Sequence, residues 1–246
     1  LGAVPVTGLA GALRKTARRG YLGGFDALIA YSSQGAALYR SEGFPPGRIF
    51  VAPNAVVSRS SVITERPPRQ EVPVVLFVGR LQARKRVDVL IKACARMAAS
   101  PDLWIVGDGP ERSRLEAFAA DLLPRTRFFG ALQGVELEDL FAAADLFVLP
   151  GTGGLAVQQA MAAGLPVIVA EGDGTQTDLV TRENGWLLSG NDPALLERAL
   201  RDALSDRGRL QEMGRHSLQR VRESVNIEAM AEVFHHALCH VTGMER

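Results

Sequence analysis

Short apolar segments recur through the middle of the chain, and segments with helical spacing of apolar residues separate them. The apolar segments cover 73–78, 103–106, 146–149 and 166–169. Strands that are apolar at every position are typical of a parallel sheet that is buried on both faces. The intervening segments, of about ten residues each, are long enough for the covering helices. The sequence therefore predicts an α/β fold, with a Rossmann-like parallel sheet and helices on both faces.

The remaining elements are predicted from the same patterns. Further strands are expected at 27–31, 49–51 and 127–129. Helices are expected at 9–22, after the strand 27–31 as far as about Arg40, and at 86–98, 111–122, 136–143, 155 onward, 193–204, 207–221 and 227–241. A polar segment over 58–72, which contains Pro67 and Pro68, is predicted to be a linker between two domains.

Composition limits the classes of function. The chain has 246 residues, 47% of them hydrophobic, and a formal net charge of +1. This balance argues against nucleic-acid binding, which normally needs a basic face. The two cysteines, Cys94 and Cys239, are far apart and lack metal-type spacing, which favours a reducing, cytoplasmic location. No secretory signal peptide or transmembrane-length apolar run is recognised, and because the chain begins with Leu1 we expect a fragment or a trimmed product.

The segment 9–22 combines apolar residues with Arg14, Lys15, Arg18 and Arg19. Two interpretations remain open for this pattern. A basic amphipathic helix of this kind can bind the surface of an anionic membrane. A solvated helix face is the more frequent case.

The run Gly79–Lys85 follows the first apolar strand of the sheet. Its position at the carboxyl end of a strand is where open α/β sheets bind ligands. Arg80 and Lys85 would place positive charge there, and a diphosphate needs such charge close to its oxygens. The alternative is that both are solvated surface cations.

The glycine-rich segment Gly151–Gly154 lies between another strand and a helix that begins at Leu155. Glycines let backbone N–H groups approach a ligand, and a helix N-terminus adds free donors and partial positive charge. Tight turns also use glycine for steric reasons alone. Together with Arg80 and Lys85, this turn predicts a cradle for the diphosphate and sugar of a nucleotide sugar.

An ordered set of short motifs carries a family resemblance. The motifs are Val51–Asn54, Gly79–Lys85, Ile105–Pro110, Phe129–Gly130, Ala144–Pro150, Gly154–Leu155, Gln159–Ile168 and Asn184–Gly185. From Asp26 to its C-terminus the chain resembles the family 4 retaining glycosyltransferases (glycosyl transferases group 1). The resemblance is mainly to the C-terminal, donor-binding half of their GT-B fold. Each motif alone is unspecific, but their order is specific.

The resemblance implies roles for individual residues. Arg80 and Lys85 correspond to the cations that grip the donor diphosphate, and we expect them to be catalytic. Phe128 and Phe129 would border the base, although core packing is the alternative for at least one of them. The substrate-binding residues implied are Gly79, Gly107, Gly109, Phe128, Phe129, Gly151, Thr152, Gly153, Gly154, Leu155 and Gln159.

The chain departs from the family around the glycine turn. Members usually have a glutamate that contacts the donor sugar and a second, eight residues later, that binds the ribose. The second position holds Gln159, whose amide can still bind a diol, and the first falls on Gly151. The sugar-contacting carboxylate is therefore absent or displaced. Thr152 and backbone groups could replace it, and the later carboxylates that could approach the sugar are Glu171, Asp173 and Asp178.

The resemblance also implies a domain division. Residues 1–57 would be the end of an acceptor-side domain, 58–72 a linker, 73–225 the donor-binding domain, and 226–246 a helix that crosses back. No metal is expected, because Arg80, Lys85 and a helix N-terminus supply positive charge. His236 and His240 share a helical face that would suit a metal, but no further ligand is evident near them in the sequence.

The predicted function is transfer of a sugar from a nucleotide diphosphate donor to the hydroxyl of a glycan or a lipid-linked acceptor. Such a transfer would belong to the biosynthesis of glycans, polysaccharides or glycolipids, although the fragment alone could be inactive. One alternative is a non-catalytic module that binds a nucleotide sugar and works with a partner or with the missing N-terminal domain. Another is a nucleotide-sugar epimerase, for which no clear acid–base pair is present.

Overall fold

The structure is a computed structural model that describes residues 9–60, 71–190 and 192–244, with residues 9–15 described as helical backbone only. The greater part of the predicted linker, 61–70, lies outside the described residues.

The described elements alternate along the chain as the apolar pattern predicts. The strands are β1 Leu28–Ala30, β2 Ile49–Val51, β3 Val74–Val78, β4 Asp102–Val106, β5 Arg127–Gly130, β6 Leu146–Leu149, β7 Val167–Ala170 and β8 Gly185–Leu188. The helices are α1 Leu9–Leu22, α2 Ser33–Ser41, α3 Val87–Ala95, α4 Arg112–Leu122, α5 Val135–Ala143, α6 Leu155–Ala162, α7 Gln176–Leu179, α8 Pro193–Leu204, α9 Arg207–Glu223 and α10 Ile227–Thr242.

Six strands form one parallel sheet in the order β5-β4-β3-β6-β7-β8. Strands β4 and β5 are added in turn on one side of β3. Strands β6, β7 and β8 are then added in turn on its other side. The direction therefore reverses between β3 and β6, which lie side by side. In open α/β sheets this reversal opens a crevice beyond the carboxyl ends of the two strands, and ligands bind there.

The core explains why these strands are apolar throughout. The side chains of β6 and β7 are buried, as are those of β4 from Leu103 onward and of β3 up to Phe77. One buried carboxylate, Asp145, aligns the starts of β3 and β6. Its backbone N–H donates to the carbonyl of Val74 at 2.9 Å, and its Oδ2 accepts from the Val74 N–H at 2.9 Å. A charge buried there is tolerated because it is hydrogen-bonded.

A second, two-stranded parallel sheet joins β1 and β2. It packs on a small cluster of its own: Leu22, Ala30, Ala36, Phe44 and Ile49. Helix α10 returns to this sheet, because the Phe50 ring lies 5.4 Å from the His236 ring and 5.5 Å from the His240 ring. The division of the chain into domains remains a prediction.

Three elements differ from the sequence-based expectation. Neither α7 nor β8 was predicted, because α7 is a single turn and β8 has only four residues, three of them half-buried. Helix α3 is shorter than the predicted 86–98 and ends at Ala95. The chain turns after it toward Pro101, and the Ser100 hydroxyl donates to the carbonyl of Met97 at 3.3 Å. The Met97 N–H donates to the carbonyl of Cys94 at 3.2 Å, so the helix closes with a tighter final turn.

Candidate functional site

Two loops meet in the crevice beyond β3 and β6, and three hydrogen bonds connect them. The Thr152 N–H donates to the carbonyl of Arg84 at 3.3 Å, and Arg84 Nη1 donates to Thr152 Oγ1 at 3.0 Å. The ammonium of Lys85 donates to the carbonyl of Thr152 at 2.6 Å. The structure thus brings Lys85 and the glycine turn together, as the sequence predicts.

Glycine is required for this close approach. A Cβ on Gly151 would overlap with the carbonyl oxygen of Arg84 and lie 2.7 Å from Lys85 Cα. A Cβ on Gly153 would lie 2.5 Å from Lys85 Nζ, and the φ of Gly153, 147°, also favours glycine. The glycines therefore serve the contact between the loops, whatever they contribute to a ligand.

The surroundings of Lys85 make its charge costly in the free protein. Burial lowers its pKa below the ordinary value, and the neighbouring Arg84 lowers it further, while Asp173 opposes both. A lysine whose charged form is disfavoured in this way is stabilised when an anion enters beside it.

Arg80 also follows β3, but it lies beside the loop after β4 rather than beside the glycine turn. It is exposed, and no described residue forms a hydrogen bond or an ion pair with its side chain. It lines an open depression of about 550 Å³, together with Val78, Gly79, Val106, Gly107, Asp108, Gly109, Ala131 and Leu132. Its guanidinium is available to a ligand within this depression.

Gly107 and Gly109 let the loop after β4 lie against the loop after β3. A Cβ on Gly107 would overlap with the carbonyl oxygen of Gly79, and one on Gly109 with that of Leu81. The Leu81 N–H also donates to the carbonyl of Asp108 at 2.8 Å. The predicted residues Gly79, Gly107 and Gly109 therefore form one continuous wall beside Arg80.

Phe128 and Phe129 lie on β5, the edge strand of the large sheet. Both are partly buried and pack against the core, and the Phe129 ring meets the Trp104 ring edge to face at 5.6 Å. Neither lines the depression at Arg80. The geometry favours core packing for both residues, and contact with a base remains a prediction.

Gln159 lies apart from both Arg80 and Lys85. Its exposed side chain lines a different depression, of about 410 Å³, between α5 and α6 and beside Val56 and Ser60. Neither Arg80 nor Lys85 borders that depression. The ribose contact expected for Gln159 therefore stays a prediction.

A third cavity, called the central cleft below, lies between the small sheet with α10 and the carboxyl ends of β6 and β7. Its volume is about 510 Å³, and it is lined by Ile29, Tyr31, Ala52, Pro53, Asn54, Gly154, Leu155, Gln158, Asp173, Thr175, Asp178, Leu179, Met230 and Phe234. The predicted residues Gly154 and Leu155 thus border this cleft rather than the depression at Arg80.

Gln158 closes one side of the central cleft. Its side chain is buried, Oε1 accepts from the Val56 N–H at 3.0 Å, and Nε2 donates to the carbonyl of Asn54 at 2.5 Å. Sequence reasoning missed this residue. The available signal was a glutamine among the apolar residues of a helix, because a buried amide needs partners.

The three later carboxylates have different surroundings. Glu171 does not line the central cleft, and Asp178 accepts from the Ser33 N–H at 2.6 Å. Asp173 lines the cleft, and its Oδ1 accepts from the hydroxyl of Thr175 at 2.6 Å and from the Thr175 N–H at 3.1 Å. Burial raises the pKa of Asp173, but the hydrogen bonds from Thr175 and Gln176 outweigh it, so the pKa lies below its ordinary value. Asp173 is therefore ionised at neutral pH.

The sequence profile of one family, the glycosyl transferases group 1, matches residues 60–220. The chain belongs to this family. The match contains the loops that carry Arg80, Lys85 and Gly151–Gly154. The expected membership is thereby confirmed at the level of group 1.

Curated relatives are similar over part of their length. The chain is 34% identical over 186 residues to a D-inositol 3-phosphate glycosyltransferase of Salinispora tropica, which covers 67% of the chain and 38% of the relative. It is 37% identical over 157 residues to a GDP-mannose-dependent alpha-mannosyltransferase of Mycobacterium tuberculosis, which covers 63% of the chain and 38% of the relative. The chain thus spans well under half of each of these relatives.

Solved structures share the fold. Sucrose-phosphate synthase of Thermosynechococcus elongatus superposes with a TM-score of 0.77 at 25% identity, over 98% of this chain and 65% of that one. HepE of Anabaena, solved with UDP, has a TM-score of 0.74 at 21% identity, over 86% of this chain and 63% of that one. The α/β fold of the GT-B glycosyltransferases is confirmed.

Two further observations concern the described residues alone. No group of three or more His, Cys, Asp and Glu side chains among them could hold a metal ion. No helix in the same part of the chain has the length and apolar character needed to cross a membrane.

Proposed function

We propose that this chain is the donor-binding part of a retaining glycosyltransferase, which moves a sugar from a nucleoside diphosphate to an acceptor hydroxyl. One observation carries the proposal: Lys85 is hydrogen-bonded to Thr152 of the glycine turn in the crevice where the sheet reverses direction. This is the position at which an open α/β sheet binds its ligand.

The chemistry follows from the charges at that position. When the bond between the sugar and the diphosphate breaks, negative charge grows on the departing diphosphate. Lys85, Arg80 and the N-terminus of α6, which begins at Leu155, present positive charge and N–H donors to it. Because these groups supply the neutralising charge, a divalent metal is not required in this proposal.

The relatives support the class of substrate. Their names specify D-inositol 3-phosphate in one case and GDP-mannose in another, and HepE of Anabaena was solved with UDP and with UDP-glucose. A nucleoside diphosphate sugar as donor agrees with GDP-mannose and UDP-glucose in these names, whereas none of them specifies a glycan or a lipid-linked acceptor. The relatives differ in base and in acceptor, so the proposal fixes neither.

A non-catalytic module that binds a nucleotide sugar is the second candidate. The observation that favours it is Gly151, which stands where the family usually has the carboxylate that contacts the sugar. Release of nucleoside diphosphate from UDP-glucose, GDP-mannose and ADP-glucose separates the two candidates. A glycosyltransferase releases one of these diphosphates by slow hydrolysis or by transfer, and Lys85→Ala abolishes that release. Saturable binding with no release, by this chain and by the full-length protein, identifies the non-catalytic module.

Attachment to a membrane surface is a separate part of the proposal. Helix α1 would contact anionic lipid on the cytoplasmic side, but Arg18 forms an ion pair with Glu42 at 2.9 Å, and Arg19 Nε donates to the Glu42 carbonyl at 2.6 Å. The ion pair offsets the charge of Arg18, and the hydrogen bond directs the guanidinium of Arg19 toward the backbone of Glu42. Sedimentation with vesicles that contain anionic lipid tests the contact.

A further inference from the structure

The site lacks a side chain where the family usually places a carboxylate against the donor sugar. Gly151 occupies that position, and its α-carbon lies against the backbone of Arg84 and Lys85. No side chain larger than glycine fits there without displacing that backbone. A carboxylate that recognises the sugar must therefore come from another loop.

The loop after β7 brings a carboxylate to the opposite side of the glycine turn. Asp173 lines the central cleft beside Gly154 and Leu155. Thr175, which donates two hydrogen bonds to Asp173, packs on the turn, since its Oγ1 lies 3.1 Å from the place of a Cβ on Gly154. Asp173 is also close enough to Lys85 for its charge to raise the pKa of that lysine. The carboxylate and the cation thus face the same turn.

The side chain of Gln176 attaches the loop after β7 to the glycine turn. Its side chain is fully buried, and its Nε2 donates to the carbonyl of Gly153 at 2.6 Å. Its Oε1 is buried with no hydrogen-bond partner among the described residues. The buried amide therefore fixes the loop after β7 against the glycine turn.

The chemistry of the lining indicates which sugars would fit. A carboxylate accepts hydrogen bonds from hydroxyl groups, and an ionised carboxylate accepts them strongly. The acidic residues that line the central cleft are Asp173 and Asp178, and no Lys, Arg or His lines it in the described part of the chain. A sugar with its own carboxylate would meet like charge there, because the nearby cation, Lys85, donates to Thr152 and does not line the cleft.

From these observations, and resting on the proposed function, we propose that Asp173 binds the hydroxyl groups of the donor sugar. In this proposal the central cleft selects a neutral hexose over a uronic acid. The loop after β7 then performs the recognition for which the family usually uses the loop after β6.

Calorimetric titration of the 246-residue chain with UDP, UDP-glucose and UDP-glucuronic acid tests this. If the chain prefers guanine, GDP, GDP-mannose and GDP-mannuronic acid replace them. We expect the neutral nucleotide sugar to bind more tightly than both the diphosphate and the uronic acid, by about tenfold or more. Asp173→Asn should leave affinity for the diphosphate unchanged, lower that for the neutral sugar nucleotide to the same level, and remove most of the discrimination against the uronic acid.

Glu183→Gln is the matched control, because it removes one exposed carboxylate that does not line the cleft. It should leave all three affinities unchanged. Equal losses for the diphosphate and the sugar nucleotide in Asp173→Asn would mean that Asp173 acts through Lys85, and would overturn the proposal. Unchanged affinity for the sugar nucleotide would overturn it as well. If the wild type binds no nucleoside diphosphate at all, the proposed function itself fails, and the role of Asp173 fails with it.

Discussion

The ammonium of Lys85 spans the crevice between two strands and donates to the carbonyl of Thr152 at 2.6 Å. Lys85 follows β3 and Thr152 follows β6, the two neighbouring strands between which the sheet order reverses. One hydrogen bond therefore fixes a cation against a glycine turn at the ligand-binding edge of the sheet. The proposed diphosphate site depends on this relationship.

The lowered pKa of Lys85 predicts how binding depends on pH. Burial and Arg84 hold this pKa below the ordinary value of 10.5. Lys85 therefore loses its proton at a lower pH than a solvated lysine. Affinity for a nucleoside diphosphate should fall as the pH rises toward 10.5, because a smaller fraction of Lys85 is charged. Lys85→Arg stays charged throughout this range, so its affinity should depend less on pH. Titrations at several alkaline pH values measure both, and equal slopes would contradict the role of Lys85.

The same shift has a consequence for stability. Because the pKa of Lys85 is lower in the folded chain than in the unfolded one, the unfolded state binds more protons between the two values. The free energy of unfolding should rise with pH through that window. In Lys85→Met this contribution should disappear, as measured by urea denaturation at several pH values. A variant with the same pH dependence as the wild type would show that Lys85 is solvated.

Gly151→Ala tests the contact between the two loops. The new Cβ would overlap with the carbonyl oxygen of Arg84, so the loops must separate. We expect loss of nucleoside diphosphate binding and a fall of about 1–3 kcal/mol in the free energy of unfolding, the usual cost of overpacking. Gly47→Ala is the control, since its Cβ would meet no atom within 4 Å. Wild-type binding by Gly151→Ala would contradict the described contact.

Asp145 tests the alignment of the two central strands. Asp145→Ala leaves the buried Val74 N–H without the acceptor at 2.9 Å. The expected cost is about 1–3 kcal/mol of unfolding free energy, the penalty for an unsatisfied buried donor. Asp145→Asn retains an oxygen acceptor and should cost less. Equal losses in the two variants, measured by chemical denaturation, would show that the hydrogen bond is not what matters.

The sequence predicted most of the fold because the strands are apolar and the helices are periodic. The single turn of α7 was missed because it is too short to show a period. Strand β8 was missed because three of its four residues are only half-buried, unlike those of β6 and β7. The order of the strands was also beyond reach, since it depends on contacts between residues that are distant in the chain. Periodicity therefore predicted the elements but not the crevice between β3 and β6.

The candidate site was predicted only in part. Arg80, Lys85 and the glycine turn were identified from their places after strands, and Lys85 does meet the turn. The family spacing directed attention to Gln159, whereas Gln158 and Asp173 line the central cleft. Which of two neighbouring glutamines faces a cleft depends on how the helix packs, and that information lies outside a local pattern.

Calorimetric titration of the chain with UDP, GDP and ADP, in the presence of a chelator, tests the central claim most directly. The account predicts saturable binding of at least one nucleoside diphosphate without a metal. Arg80→Ala should weaken that binding by about 1–3 kcal/mol, the scale of hydrogen bonds to charged groups. Arg96→Ala, which removes an exposed cation paired with Glu197 at 3.6 Å, should leave it unchanged. Binding that requires a divalent metal, or that is equal in the wild type and Arg80→Ala, would contradict the proposed site.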